Sequence, residues 1–535
     1  MNDDLISAAA LSHPTNSTSK RGKRCAICAK PLEDATAPST DESALPCAPG
    51  GCLSETLEAE KGEQPFQLTG HYSLCVFPFT FHEDDGNSFM RLRKSSRWKR
   101  RVFSEEDPED ADRTEYFLPY VKKFLFPSLY EDRHGFNPHE DFSVPTLQHY
   151  RLDLDTLGPT DAQGCLPFWL SGQDDRDKRN YRHSMLLDEV QLLVSSLRVG
   201  FLIFRLRCSG DRPTYMDQMH ATLFFRLLAP IYRGFSMPTM SVASQSFQIN
   251  QLLAHLLADF DALRPIAPPH RYEQRLQLPV RPSYDDRMMV YTFSCIDHRT
   301  CLADRERARR QLERHAFSRF DEDLSGRSGA ENEDETQQWL TRRWQSISKE
   351  GSSLVAFDTD EFNRVFLGQY HGSYYFDIFL LASLQRTALL LLFERLSDIR
   401  SLTALSWESQ KILRRLRKAV LLFKNQSWFS QITHRERGLV LWRRWQGVFE
   451  VEKLMREVND QSSELNTYLQ DRSRQQIEWS MRLGGFLATS LPAIFGLRVI
   501  LGNAPWVDSL RWLLALIVLL GTAVFGWFVL FREEE

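Results

Sequence analysis

The sequence predicts a mixed α/β (or α+β) cytoplasmic domain, then long helices, then a C-terminal two-helix transmembrane hairpin. Three observations carry this. Two apolar stretches, Leu483–Gly502 and Trp512–Phe531, close the chain and are separated by Asn503–Arg511. The second runs for twenty residues without a charge, enough to cross a hydrocarbon core of about 30 Å. Proline occurs 24 times yet is absent between Pro282 and Pro492. Since it costs about 3 kcal/mol inside a helix, that gap suits long helices. Upstream, short aromatic runs of strand character are mixed with helical patterns, the signature of a sheet covered by helices.

With 535 residues the chain has room for two or three domains, and a 25% charged share with a net charge of −4 gives no global bias toward nucleic acid. Met1–Ser12 carries Asp3–Asp4 and no apolar core of signal length, so no secretory signal is expected. Residues 1–66 read as a flexible tail with a possible zinc knuckle. Residues 67–310 read as the α/β domain, with strands at Tyr72–Phe81, Val199–Cys208 and Met288–Cys295 and helices at Met185–Leu197 and Phe247–Leu263. Residues 311–345 form a polar linker, with Asp321–Glu335 as its loop. Residues 346–481 form a long-helix stalk, with helices at Glu361–Arg400, Trp407–Phe423 and about His434–Met481. In the last of these no glycine falls between Gly447 and Gly484. Val451, Leu454, Val458, Leu465 and Leu469 recur at helical spacing around a polar break at Ser462. That helix runs into the hairpin, residues 482–535.

Tyr374–Phe393 is a third apolar candidate, but it holds Asp377, Gln385 and Arg386 near its middle. A charge at mid-bilayer costs about 2.5–3.5 kcal/mol on insertion scales, so a buried core helix is expected there instead. Arg472, Arg474 and Arg482 precede the first span and Arg532 follows the second, whereas the connecting loop has only Arg511 and Asp508. The excess of cations places both termini in the cytoplasm of an inner or plasma membrane protein.

A long helix feeding the first of two C-terminal spans, with a short external loop, resembles the CorA family of divalent-cation channels. The segment Ala488-Thr-Ser-Leu-Pro492-Ala-Ile-Phe-Gly-Leu-Arg-Val-Ile-Leu-Gly-Asn503 has the Leu-Pro step of that family's first span, and Asn503 lies eleven residues after Pro492, where the family's Gly-Met-Asn signature ends. Leu501 takes the glycine place and Gly502 the methionine place. The resemblance covers about 360–535. It implies a homopentamer of a bacterial membrane, with the first span lining a pore, Asn503 and Gly502 at its outer mouth, Thr489 and Gly496 below, and Mg²⁺ or another divalent cation as cargo. A ring of amide oxygens suits a cation that keeps its water. Asn503 capping a helix end in an Asn-Ala-Pro turn explains the same residue without a pore. Arg498 departs from a cation pore: facing the lumen it repels divalent cations, and facing lipid it snorkels to the headgroups.

Nine cysteines in a chain with no expected export signal suggest reduced thiols or metal ligands. Cys25, Cys28, Cys47 and Cys52 stand as C-x2-C-x18-C-x4-C, close to zinc-ribbon spacing. Four thiolates suit a structural Zn²⁺ site, and unliganded thiols in a disordered tail are the other reading. Arg91, Arg93, Lys94, Arg97, Arg100 and Arg101, with Lys99 and Trp98 among them, make a basic run that can meet a phosphate-bearing ligand, nucleic acid or lipid headgroups. A solvated loop balanced by Glu105–Asp112 accounts for it equally. Asp358, Asp360 and Glu361 suit either an inter-subunit cation site or an acidic helix start. Walker, His-Glu-x-x-His, nucleophile-elbow and GxGxxG motifs are absent, so no enzyme is expected.

Three readings follow. The first is a CorA-like homo-oligomeric channel gated by its large cytoplasmic domain. The second is a CorA-like membrane effector opened by a nucleotide second messenger, as beside type III CRISPR systems. The third is a non-conducting membrane anchor for an interaction domain.

Overall fold

The computed structural model describes residues 66–81, 92, 94–130, 147–174, 179–229, 236–243, 245–260, 278–284, 286–300, 336–340, 343–401 and 407–464, with scattered helical positions from 467 to 521. The mixed α/β class holds. A single thirteen-stranded sheet comprises β1 (Leu68–Thr80), β2 (Trp98–Arg100), β3 (Leu147–Leu152), β4 (Leu166–Asp174), β5 (Arg179–Ser195), β6 (Val199–Cys208), β7 (Thr239–Val242), β8 (Gln245–Gln248), β9 (Arg281–Pro282), β10 (Met289–Ile296), β11 (Thr336–Leu340), β12 (Arg343–Ser348) and β13 (Gly351–Phe357). Its main path runs β11-β12-β13-β10-β1-β6-β5-β4-β7-β8. Neighbours are antiparallel, except that β10 and β13 run parallel, Val290 opposite Gly351 through Ile296 opposite Phe357.

The central strands β1, β6 and β10 are largely apolar because the sheet is covered on both faces. In β1, Tyr72, Leu74 and Val76 enter one core and Cys75, Phe77 and Phe79 the other. β6 divides the same way, Phe201 and Ile203 against Leu202, Phe204 and Leu206. The first core lies beneath α1 (Pro108–Glu115), α2 (Pro119–Leu125) and the later helices; the second lies beneath α3 (Tyr215–Phe225) and α4 (Ile249–Leu256).

The strands expected at Tyr72–Phe81, Val199–Cys208 and Met288–Cys295 are β1, β6 and β10. The helix expected at Met185–Leu197 is instead part of β5. Its side chains in the second core, Met185 and Leu187 and then Val190, Leu192 and Val194, alternate except for one three-residue step. A bulge between Leu187 and Glu189 supplies that step, and it mimics helical spacing. At Phe247–Leu263, strand β8 leads into the short helix α4 and a turn of 3-10 helix, Ala258–Phe260. Strands β11, β12 and β13 occupy 336–357, where a polar linker and the start of a helical stalk were expected. Those strands read as polar because Gln345, Ser346, Ser352 and Ser353 are buried and bonded to one another and to neighbours, as in Gln345 Nε2 to Ser352 Oγ at 3.0 Å and Thr292 Oγ1 to Ser353 Oγ at 2.9 Å.

After a π-helical turn, Phe362–Phe366, come α5 (Leu367–Gly372), α6 (Tyr374–Ser401), α7 (Trp407–Gln426) and α8 (Glu436–Val448). Among the described residues one helix is long and apolar enough to cross a membrane, Phe362–Ser397, and 83% of its most apolar stretch is buried inside the protein. The three mid-helix polar side chains noted in the sequence, Asp377, Gln385 and Arg386, each have a partner. Arg113 donates to both carboxylate oxygens of Asp377 at 2.6 and 2.5 Å, Gln385 donates to the Ser427 carbonyl at 2.7 Å, and Arg386 donates to the Phe449 carbonyl at 2.9 Å. It is the buried core helix that its interior charges implied.

The helix expected over His434–Met481 is broken. α8 stops at Val448, and Glu450 takes a left-handed φ of 54° before helix resumes over 451–464. Val451, Met455 and Val458 are buried against the first core, whereas the described helical positions from 463 to 485 are exposed. The helix leaves the body near the polar break at Ser462. The Asp321–Glu335 loop lies outside the described residues.

Two predictions follow from this packing. Asp377→Ala strands the Arg113 guanidinium and should cost about 3–5 kcal/mol, whereas Arg113→Met with Asp377→Leu should recover most of that loss; denaturant midpoints of the four proteins read both. Burial keeps His71 neutral, with its pKa lowered to about 4, and lowers His183 and His371 to about 3 and His149 well below the usual imidazole value. Only the unfolded chain takes up these protons below about pH 6.5. Their contribution is therefore complete above that pH and is lost as pH falls toward 4. Thermal melts should show the midpoint falling over that interval.

Candidate functional site

Three places bear on function. The first is the end of the chain. The pore and selectivity residues expected from sequence, Thr489, Gly496, Arg498, Gly502 and Asn503, lie outside the described residues, as do Cys25, Cys28, Cys47 and Cys52 of the expected zinc knuckle. Nine positions between 509 and 521 are described, and all are helical. Leu510, Trp512, Leu513, Leu516, Ile517 and Leu520 are exposed there, Trp512 at 67% and Leu516 at 59%. Each large apolar side chain left in water forgoes about 1.5–3 kcal/mol of burial. A row of six is the kind of surface that marks a membrane or protein contact.

The second place is the basic run. Arg91 and Arg93 lie outside the described residues. Lys94 is exposed. Arg97 donates to the His255 carbonyl at 3.1 Å and pairs with Asp259 at 3.3 Å. Lys99 pairs with Asp153 at 2.6 Å. Arg101 pairs with Asp110 at 3.0 Å and lies 4.6 Å above the Phe103 ring. Trp98, expected to offer a stacking surface, is instead buried at 2% exposure in β2. Arg100 is half-buried in the same strand. Strand formation thus turns alternate side chains of the run inward and commits the cations at 97, 99 and 101 to carboxylates. Beside it opens a cleft of about 530 Å³ in which Lys99, Arg151 and Arg205 face Asp153, Asp155, Asp188 and Glu189. Arg207 doubly contacts Asp188 at 2.9 and 2.7 Å, and Arg151 pairs with Glu189. With its cations matched by carboxylates, this cleft has no excess positive charge to hold a polyanion.

The third place is at the carboxyl ends of β10 and β13. Asp297 and His298 directly follow β10, and Asp358 directly follows β13. The parallel pairing puts these ends side by side. Backbone bonds fix them, Asp297 N–H to the Gln67 carbonyl at 2.9 Å and Asp358 N–H to the Ile296 carbonyl at 3.0 Å. His298 Nδ1 stands 2.7 Å from Asp358 Oδ1, which also accepts the His298 backbone N–H at 2.9 Å, and 3.9 Å from Asp297 Oδ1. All three side chains are half-buried, with donor atoms within 4.8 Å of one another. Of the acidic residues noted in the sequence, only Asp358 joins this group. Asp360 instead accepts the Asn363 N–H at 2.8 Å as a helix-start residue, and Glu361 is exposed. An acidic residue at the end of an apolar strand was visible in the sequence; that the two strands are parallel neighbours was not.

These assignments are tested by Arg101→Gln. It should lower the melting temperature, through the loss of a partly buried pair, and leave retention on acidic lipid vesicles unchanged; loss of retention with an unchanged melt would show a binding role instead. Compared with known proteins, the chain matches no family model, no curated protein and no solved structure.

Proposed function

We propose that the chain is a homo-oligomeric membrane channel for divalent cations, Mg²⁺ by default, in which a C-terminal hairpin spans the bilayer and the sheet-and-helix body regulates it from the cytoplasm. The carrying observation is the contrast between two apolar helices of one chain. Phe362–Ser397 buries most of its apolar side chains and gives Asp377, Gln385 and Arg386 partners, whereas the described positions in 509–521 expose leucine, isoleucine and tryptophan. Exposed large apolar side chains on a helix call for lipid or a further copy. In the sequence the helix over 451–464 precedes this element. In this reading Asn503 and Gly502 stand at the outer mouth with Thr489 and Gly496 below, and Arg498 lies near the outer end of the first span. The pairing of Arg97, Lys99 and Arg101 with carboxylates gives no support to a nucleotide-gated version of the same pore at the basic run.

Flux through purified full-length protein in liposomes tests the proposal. Mg²⁺ entry, followed with an internal dye, should require the protein and fall at least tenfold in Asn503→Ala. Flux unchanged by Asn503→Ala would remove the proposed selectivity residue, and protein that inserts but passes no ion under any condition would leave a membrane anchor.

A further inference from the structure

We propose that Asp297, His298 and Asp358 form a binding site for a divalent first-row transition-metal ion. The argument stands apart from the channel reading and rests on donor chemistry, geometry and placement. Two carboxylates and one imidazole offer a formal charge of −2 to a dication. Imidazole draws the set away from Mg²⁺ and Ca²⁺ toward ions such as Mn²⁺, Fe²⁺ or Zn²⁺. Metal–ligand bonds of about 2.1 Å need ligand atoms roughly 3.0–3.4 Å apart in octahedral or tetrahedral sites. The spacings here, 2.7 and 3.9 Å from His298 Nδ1 to the two carboxylates, lie on either side of that range. A bound ion would draw the three donors to that spacing.

Placement is the independent support. β10 and β13 are the parallel pair of the sheet among the described residues, and both carboxylates sit in the first residue past their carboxyl ends. Ligands of open sheets with parallel strands lie outside those ends. The floor is stiff, since Ile296 is fully buried and Phe357 nearly so. The rim is open, since the His298 side chain is 42% exposed, which gives an ion and its remaining waters a way in. Immediately beyond Asp358 the chain enters the π-helical turn Phe362–Phe366, a local irregularity that recurs beside functional sites. Arg343, which reaches Asn363 and lies 3.9 Å from Asp360, holds that turn from the other side. A bound ion would join the ends of β10 and β13, which are otherwise linked at this point by the His298 ring and backbone N–H contacts to Asp358 and by the Asp358 N–H bond to the Ile296 carbonyl.

Mn²⁺ is the probe of choice, because it is taken up by oxygen and imidazole donors while the thiolates of Cys25, Cys28, Cys47 and Cys52 favour softer ions. Full-length protein in detergent is titrated with Mn²⁺ and the free ion is followed by electron paramagnetic resonance. The bound ion is then examined for nitrogen hyperfine coupling. Wild type should bind with a nitrogen coupling, and His298→Ala should remove that coupling and weaken binding at least tenfold. His298 is partly exposed, so the variant should fold, and its unchanged circular dichroism melt without metal checks this. Asp297→Asn gives a second, milder loss. No binding by wild type, binding without nitrogen coupling, or equal binding by His298→Ala would each overturn the proposal and leave the group as a hydrogen-bonded latch.

Discussion

The ion pair between Arg113 and Asp377 is the constraint around which the larger core is arranged. Both side chains are almost wholly removed from water, 10% and 2% exposed. Two charges in that setting are tolerated only when their geometry is close to ideal. Here it is a two-bond fork, and the guanidinium also lies 5.5 and 5.6 Å from the Phe103 and Phe126 rings. The pair ties α1 to α6 across 264 residues of sequence. It therefore fixes the register of the helix that fills the centre of the first core. His149, beside Arg113 and Arg101, is kept neutral by burial and then by those two cations, and its Nε2 contacts the Leu125 carbonyl at 2.9 Å.

The same constraint separates two helices that composition alone barely distinguishes. α6 holds apolar side chains over most of its circumference, as a membrane span does. Asp377, Gln385 and Arg386 in its interior each meet a partner supplied by a different element. Those partners come from α1, from the turn after α7 and from the corner after α8, so the helix can be satisfied only inside this fold. The stretch Trp512–Phe531 carries no charged residue at all. Mid-helix charges thus carry more information than mean apolarity, because each must be accounted for by a specific neighbour.

Much of the fold was legible because the central strands are buried on both faces. β1, β6 and β10 are continuous apolar runs, and long proline-free stretches marked α6 and α7. The failures have local causes. The β5 bulge gave its apolar residues a helical step. β12 and β13 are rich in serine because their polar side chains bond within the sheet, which hides them from a search for apolar runs. The break at Glu450 was invisible because its cause is a backbone conformation at a residue that ordinarily avoids it. The group of Asp297, His298 and Asp358 depends on strand order, which no local pattern encodes.

That corner at Glu450 also sets a mechanical ratio. The chain there is held by the Arg386 bond to the Phe449 carbonyl, by the burial of Phe449 and Val451, and by Lys349 of the β12–β13 turn, 2.9 Å from Glu450. The helix over 451–464 extends from this fixed foot for about 20 Å at 1.5 Å per residue. It is a lever whose fulcrum is bonded to the sheet. A rotation of about 5° at the foot would displace its far end by roughly 2 Å over that length. Small rearrangements at the β12–β13 turn are thereby magnified along the helix over 451–464.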